Sequence, residues 1–416
     1  MGRKRLFFVI LMILLTLCLG IGSLAGCSIK EGALPEKVTE ITLWFWWDQE
    51  HEKRELRKLV EEFHHTQDEI QVKIRYIPAE DFKKRMALSM ADDSMPDLAV
   101  LDSVDFQFLH AMQPFAELTE ELEEWDAYIP QMMQSCAEDG KIYALPLGFS
   151  CSVLYYNEDI FRQHTLEIPQ TWDTLYETAL KLSDEEHGGF ALPVLRKEES
   201  VFNFLPILWS GGGDIDHLDS EESRRAFSFL RRLAESGAMS RQVVNLTAGD
   251  LAIQFAEGNI AMMMNSSAMV NSIREYNPEL HFKVAVPPAI DEKEGYVSAA
   301  GGAALLGVTK GEHQEEAIAF LRFVSEKDRI LKHMDGFGFM AARQDVLAQQ
   351  VLDDIQKQKV LEIAKTSQNR ELSVKWPYIS EVFAEVVEQE IIGEQEEAEI
   401  LKEAAKKMRE IRGEDL

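Results

Sequence analysis

The stretch Gly140–Asn157 reads GKIYALPLGFSCSVLYYN and decides how the chain is organised. The runs Lys141–Pro146 and Ser152–Tyr156 are rich in residues that favour a pleated sheet, and they flank a short piece, Leu147–Cys151, that we expect to be irregular. We therefore predict a strand, a crossing and a second strand. If the two strands belong to different lobes, residues 149–152 lie at their junction, where walls from two units can close on a ligand.

The size and composition of the chain limit its class. With 416 residues, 46% of them apolar and 28% charged, it suits a globular protein of two lobes. The formal net charge of -29 argues against a nucleic-acid partner, whose phosphates would be repelled, and against broad contact with anionic lipid. We interpret the acidity as a source of solubility outside the cell.

The N-terminus has the features of a secretory signal. Three basic residues precede the apolar run Leu6–Leu19, which is too short for a spanning helix but suits a signal-peptide core. The next segment, Leu24–Cys27, reads LAGC and resembles a bacterial lipobox. We expect residues 1–26 to be removed as a lipoprotein signal peptide, and residues 27–37 to form a tether. Lipid on Cys27 would then anchor the protein to the outer face of the cell membrane.

Two cysteines remain for the folded body, Cys136 and Cys151. A location outside the cell permits a disulfide between them. A covalent clamp at the predicted crossing would restrain the lobes, so we favour two free, buried thiols, although the sequence does not decide the pairing.

Strand and helix patterns alternate before the crossing. Val38–Trp47, Ile70–Ile77 and Leu98–Leu101 read as strands, and a helix follows from about Glu50. This order predicts an α/β lobe with helices packed on a mainly parallel sheet. In such sheets ligands sit beyond the carboxyl ends of the strands. Two segments occupy such ends, Trp46-Trp47-Asp48-Gln49-Glu50 and Asp102-Ser103-Val104-Asp105.

Several segments resemble one known family. The run Gly140–Pro146 followed by Leu154–Asn157 resembles the bridge between the lobes of extracellular solute-binding proteins of sugar ABC transporters, the maltose-binding-like group, family 1. Phe255–Met264 resembles that family's helix end and following strand, and Gly336–Met340 resembles its third crossing. Together with the strand and helix patterns above, the resemblance covers nearly the whole mature chain.

The resemblance implies an α/β, two-lobe periplasmic-binding-protein-like fold. Its lobes would be discontinuous and joined by three hinge crossings. Residues 38–148 plus 302–337 would form the N-lobe, and residues 149–301 plus 338–416 would form the C-lobe.

The same resemblance implies a function. The protein would capture a sugar or oligosaccharide between its lobes and deliver it to the permease subunits of an ABC transporter, as a monomer. We find no nucleotide, metal or catalytic motif, so we expect no cofactor, no metal and no enzymatic activity. Three alternatives stay open: a binding protein for a cationic small molecule such as a polyamine, a secreted glycosidase, and a receptor subunit that reports sugar occupancy to a sensor.

The site residues follow from the chemistry of sugars, which offer hydroxyl groups at the ring edge and apolar C–H groups on the ring face. The expected aromatic contacts are Trp46, Trp47, Phe149, Phe202, Trp209, Trp376 and Tyr378. The expected polar and backbone contacts are Asp48, Glu50, Asp102, Asp105, Ser150, Gly211, Ser267 and Gly301. Because Trp46 and Trp47 are adjacent on a strand, we expect only one of them to stack on the ligand. Ala268 stands where the family often has a tryptophan, so the particular sugar stays open.

Overall fold

Strands and helices alternate along the chain in the computed structural model, which describes residues 38–291 and 295–413. The strands are β1 (Thr39–Phe45), β2 (Ile70–Tyr76), β3 (Leu98–Asp102), β4 (Ala137–Glu138), β5 (Lys141–Ile142), β6 (Ala144–Asn157), β7 (Gly188–Ala191), β8 (Ile260–Ser266), β9 (Phe282–Ala285), β10 (Ser298–Val308), β11 (Met340–Ala341) and β12 (Ser367–Asn369).

Helices follow or precede most of these strands. They are α1 (Glu50–Thr66), α2 (Ala79–Ala91), α3 (Ser103–His110), α4 (Pro130–Gln134), α5 (Glu158–His164), α6 (Trp172–Leu182), α7 (Glu198–Ser210), α8 (Glu221–Glu235), α9 (Ala248–Ala256), α10 (Val270–Tyr276), α11 (Gln314–Ser325), α12 (Lys327–Phe337), α13 (Gln344–Gln350), α14 (Ile355–Ala364), α15 (Trp376–Ile392) and α16 (Glu397–Arg412).

The strand β6 corrects our prediction of two strands separated by an irregular piece. All 14 of its residues are buried, and the chain stays extended through Leu147–Cys151. Partners on both sides explain this: Ser150 pairs with Gly301 of β10, and Phe149 pairs with Met340 of β11. The backbone of the crossing therefore forms ladder hydrogen bonds that a sequence pattern of one segment does not reveal.

β6 is shared by two regions of sheet. The first sheet region has the strand order β2-β1-β3-β10-β6. β1 is parallel to β2 and β3, as predicted, but β10 runs antiparallel between β3 and β6, so the sheet is mixed. In the second sheet region, the later half of β6 pairs antiparallel with β8 and β9, and β7 lies parallel to β8.

Amphipathic helices cover these sheets. The predicted inner face of α1 is buried through Leu56, Leu59, Val60 and Phe63, which recur at helical spacing. The helix α6 begins where we predicted, because the side chain of Thr171 accepts a hydrogen bond from the backbone N–H of Thr174. The predicted α/β class is confirmed.

The cysteines of the described ranges are both buried. Cys136 and Cys151 are free thiols, and burial raises the pKa of each to about 12. Residues 1–37, with the predicted signal peptide, the predicted lipidation site Cys27 and the whole predicted tether, lie outside the described residues. Among the helices in the described ranges, none combines the length and hydropathy that a membrane span requires.

Candidate functional site: a ligand cleft

A cleft lies where the carboxyl ends of β1 and β3 face the start of α7 and the end of β8. It contains about 220 Å³ of space accessible to water. We call its two sides the first wall and the second wall. The first wall is Trp46, Trp47, Asp48, Gln49, Glu52, Tyr76, Ala79, Glu80, Phe82, Lys83, Asp102 and Asp105. The second wall is Lys197, Glu198, Glu199, Phe202, Asn203, Ala248, Asn265, Ser266, Ala268 and Met269, and Ser150, Phe339 and Arg370 complete the lining.

The structure brings part of the predicted site together at this cleft. The predicted residues that line it are Trp46, Trp47, Asp48, Asp102, Asp105, Ser150 and Phe202. Most of them directly follow the carboxyl ends of β1 and β3, which adjoin in the sheet because those strands are parallel neighbours. The rule that ligands sit beyond strand ends therefore located one wall.

Other predicted residues lie away from the cleft. Glu50 points to solvent and pairs with Lys53 at 3.0 Å (Oε1 to Nζ), because it sits on the outer side of the first turn of α1. Phe149 is part of the core. Tyr378 is 54% exposed and its ring lies 6.1 Å from that of Phe108, outside the cleft lining.

Trp209 and Gly211 lie at the far end of α7. Trp209 packs on the core, and Gly211 contacts Trp172 so closely that a Cβ there would lie 2.8 Å from the indole. The helix carries both residues away from the cleft, because only its N-terminal turns, through Phe202 and Asn203, reach the lining.

Three predicted residues support the lining from behind. Trp376 is 1% exposed and donates from Nε1 to Oε1 of Glu198 at 3.2 Å. The hydroxyl of Ser267 accepts a hydrogen bond from the backbone N–H of Cys151 at 3.2 Å. Gly301 packs against Arg370, and a Cβ at this position would lie 2.8 Å from the guanidinium.

The adjacent tryptophans differ in burial. Trp47 is only 2% exposed, and its ring lies 4.9 Å from that of Phe337 and 5.7 Å from that of Phe339. Trp46 is half-buried. Both follow the end of β1, so strict alternation along a strand does not apply to them, and both reach the cleft lining.

Arg370 joins residues that are far apart in the sequence. Its Nη2 donates to both carboxylate oxygens of Asp102, at 3.0 and 3.1 Å, and its Nη1 donates to Oε1 of Glu198 at 2.6 Å. The guanidinium also lies over the ring of Phe202, 5.4 Å from its centre. Arg370 is not among the predicted site residues, because it follows the short polar strand β12 and belongs to no hydrophobic or motif pattern.

Buried carboxyl groups give the cleft its electrostatics. Burial raises the pKa of Asp105 to about 6, although Lys83 lies 3.0 Å from Oδ1 and opposes the shift. Burial also raises the pKa of Glu199 to about 7, against the hydrogen bond that its Oε1 accepts from the N–H of Ala248 at 3.0 Å. For Glu52, burial raises the pKa to about 8, and the nearby Asp48 adds to the effect.

The walls touch each other beyond the cavity. The hydroxyl of Ser272 donates to Oε1 of Gln49 at 3.0 Å and lies 3.3 Å from Nδ1 of His51. Arg54 forms an ion pair with Glu275, so the start of α1 is linked to α10. These contacts join the two sides at one rim of the cleft, and we call the arrangement in which they are formed the closed arrangement.

The fold is that of two-lobe periplasmic binding proteins. A solute-binding protein of an ABC transporter from Thermotoga lettingae, solved with α-D-tagatose, superposes with a TM-score of 0.82 at 22% identity, covering 90% of this chain and 99% of that chain. The family of bacterial extracellular solute-binding proteins matches residues 58–362, and the chain belongs to this family. Both findings confirm the resemblance and the fold that the sequence predicted.

Two relatives are named for the sugars that they bind. The arabinooligosaccharide-binding protein of Bacillus subtilis is 23% identical over 374 residues, which are 86% of this chain and 84% of that protein. The multiple sugar-binding protein of Streptococcus mutans is 21% identical over 332 residues, 75% of this chain and 77% of that protein.

Proposed function

We propose that this protein binds a sugar in the cleft, without altering it, and delivers it to the permease subunits of an ABC transporter for import. The observation that carries the proposal is a cleft, lined by aromatic rings and polar groups, in a chain of the extracellular solute-binding family. The names of the two relatives and the tagatose in the structural neighbour support a carbohydrate ligand.

The lining suits the surface of a sugar. Trp46, Tyr76 and Phe202 supply flat apolar faces on opposite walls, against which the C–H face of a sugar ring can pack. Asp48 and Gln49 supply a carboxylate and an amide at the cleft. Asn203 and Asn265 are 1% and 0% exposed and hydrogen-bond to neighbouring protein groups, so they shape the lining from behind. Of the two tryptophans, the half-buried Trp46 is our choice for the stacking ring.

The volume limits the size of the ligand. Pockets for drug-sized ligands typically measure about 300–1,000 Å³. The cavity here, at about 220 Å³, is smaller. We therefore propose a small sugar of one or two rings, held between the two walls with the rim contact of Gln49 and Ser272 at one side.

A cationic ligand such as a polyamine is less well supported by the geometry. Its case depended on Asp48, Glu50, Asp102 and Asp105. Asp102 is paired with Arg370 and Asp105 with Lys83, and Glu50 lies outside the cleft with Lys53. Of the four, this leaves Asp48, which accepts a hydrogen bond from Nε2 of Gln49 at 2.8 Å, for a cation. Neutralised carboxylates offer little extra attraction to a second cation.

The binding cycle that we propose uses the two lobes inferred from the sequence, 38–148 plus 302–337 and 149–301 plus 338–416. They would open at the crossings to admit the sugar and close over it. Shifting a balance from 1:99 to 99:1 needs about 5.5 kcal/mol of differential binding. A ligand with micromolar affinity provides about 8 kcal/mol in total, which is sufficient.

The experiment is a thermal-shift screen of mono- and oligosaccharides on the folded protein, followed by small-angle scattering with the strongest ligand. A ligand that binds the folded state raises the melting temperature. We expect a small sugar to raise it and to make the protein more compact. If no sugar raises it, the sugar-binding function is wrong; turnover of chromogenic glycosides would instead support the glycosidase alternative.

Anchoring is a separate part of the proposal. We propose that the mature protein is a monomer, held by lipid on Cys27 at the outer face of the cell membrane. Expression in a bacterium that processes lipoproteins should place the wild-type protein in the membrane fraction and Cys27→Ser in the medium or soluble fraction. Cys18→Ser, within the predicted signal, is the matched control and should behave as wild type. Equal partition of Cys27→Ser and wild type would contradict the anchor.

A further inference from the structure

Arg370 is a buried cation that connects the first wall to the second. It is 3% exposed, and its guanidinium bonds Asp102 at the end of β3 on one side and Glu198 at the start of α7 on the other. β3 belongs to the first sheet region, whereas α7 carries the second wall. A planar guanidinium can bond two carboxylates at once, which the single ammonium group of lysine cannot do with the same geometry.

Both acidic partners are fixed by further contacts. The carboxylate of Glu198 accepts hydrogen bonds from Nε1 of Trp376 at 3.2 Å and from the hydroxyl of Ser380. The carboxylate of Asp102 accepts from the hydroxyl of Ser103 at 3.2 Å. Arg370 thus bonds one carboxylate on each wall, and each of these carboxylates is also held by hydrogen bonds from other side chains.

Arg370 also supports a ring that lines the cleft. Its guanidinium lies 5.4 Å from the centre of the Phe202 ring, while Gly301 leaves space for it on the β10 side, where a Cβ would come within 2.8 Å. Its Nε, although buried, has no hydrogen-bond partner in the described structure. Leaving such a donor unpaired costs free energy, so the position is not accounted for by hydrogen-bond satisfaction alone.

We propose that Arg370 is a positioning residue for ligand binding: it holds the Asp102 carboxylate and the Phe202 ring at the cleft and ties the second wall to the first. The inference rests on the proposed sugar-binding function. A merely structural role would make Arg370 important for stability but not for the closed arrangement or for ligand affinity. Measuring the radius of gyration and the ligand affinity therefore distinguishes a positioning role from a structural one.

Arg343 provides a matched control. It is also buried, at 6% exposure, and its guanidinium bonds the carboxylates of Glu124 and Asp345, at 2.5 and 2.8 Å. It does not line the cleft. Arg343→Lys should therefore lower stability by the same kind of loss as Arg370→Lys, but it should leave ligand affinity unchanged because its bridge lies away from the cleft.

The experiment compares Arg370→Lys, Arg343→Lys and wild type. If the Arg370 bridge keeps part of the ligand-free wild type in the closed arrangement, small-angle scattering without ligand should show a larger radius of gyration for Arg370→Lys than for wild type. Calorimetry with the sugar that most stabilises wild type should show affinity weakened by about tenfold or more for Arg370→Lys. For Arg343→Lys we expect affinity within about twofold of wild type, because only its stability is affected.

Wild-type affinity and radius in Arg370→Lys would overturn the inference. If Arg370→Lys does not fold, Glu198→Gln removes the negative charge at one end of the bridge, at a partly exposed position, and should expand the ligand-free protein in the same direction. If no sugar binds wild type, the proposed function fails, whereas the ligand-free scattering still tests the bridge between the walls. An unexpanded Glu198→Gln protein would likewise contradict it.

Discussion

The two walls of the cleft are built differently. The first wall consists of residues at or after the carboxyl ends of β1, β2 and β3, such as Trp46, Tyr76 and Asp102. The second wall consists of the first turns of α7, the first residue of α9, and the end of β8 with the turn after it. Residues beyond adjacent parallel strands converge by the geometry of the sheet itself, whereas the second wall depends on how separate helices pack. The first wall is therefore the one that a sequence can predict.

The walls also differ in their buried acids, and the largest effect we predict concerns Glu52 on the first wall. Because burial raises its pKa to about 8, the folded state keeps a proton that the unfolded state releases above about pH 4.5. Stability should therefore fall as the pH rises from about 4.5 to 8. Glu52→Gln removes this loss. Urea unfolding should therefore show a free energy of unfolding that is higher than that of wild type by about 3 kcal/mol at pH 8 and nearly equal to it at pH 5.

Glu199→Gln is the counterpart on the second wall. Because the pKa of Glu199 is about 7, stability should again fall as the pH rises, but only between about pH 4.5 and 7. The stability that Glu199→Gln gains at pH 8 should therefore be smaller than that of Glu52→Gln. A larger gain for Glu199→Gln than for Glu52→Gln would reverse this difference between the walls.

The next effect tests whether both walls contact the ligand. Trp46→Ala and Phe202→Ala each remove one ring from one wall. We expect each to weaken sugar binding by about thirtyfold, since central aromatic contacts are commonly worth about 2 kcal/mol. Tyr378→Ala, which removes an exposed ring outside the cleft, is the control and should leave affinity unchanged. Calorimetry measures the sugar affinity of all three variants. If only one of the two cleft variants binds the sugar more weakly, the ligand contacts that wall alone.

The smallest effect concerns the contact between the walls. Ser272→Ala removes the hydroxyl that donates to Oε1 of Gln49. A single such hydrogen bond contributes about 1 kcal/mol, so sugar affinity should weaken by about fivefold, through faster dissociation. Ser228→Ala loses a hydroxyl that bonds Glu397, remote from the cleft lining, and should bind as wild type. Equal dissociation rates for Ser272→Ala and wild type would show that this rim contact does not retain the ligand.

The difference between the walls also explains which elements and site residues can be predicted from the sequence. Helical spacing located α1, and turn chemistry located the cap of α6 at Thr171, because both signals are local. Among the cleft residues, strand ends identified Trp46 and Asp102. Arg370 was not predictable, since its partners lie 268 and 172 residues away along the chain and nothing in its own segment indicates burial.

The error at β6 has a similar cause. The pieces before and after Leu147–Cys151 match the alternation and composition of strands, but the middle depends on hydrogen bonds to β10 and β11. Those partners come from more than 150 residues later in the chain. Long-range pairing can hold a segment extended even where its own residues show no preference for it.

An uninterrupted β6 has a mechanical consequence. A flexible loop between the two sheet regions would leave their relative orientation unrestrained. A strand that is hydrogen-bonded on both sides resists bending and twisting, because each such motion strains its hydrogen bonds. Any opening of the cleft would then have to bend β6, and the strained strand would favour a return to one preferred angle between the two sheet regions. The same strand offers no exposed flexible segment to a protease, so we expect limited digestion to spare this connection in both the free and the sugar-bound protein.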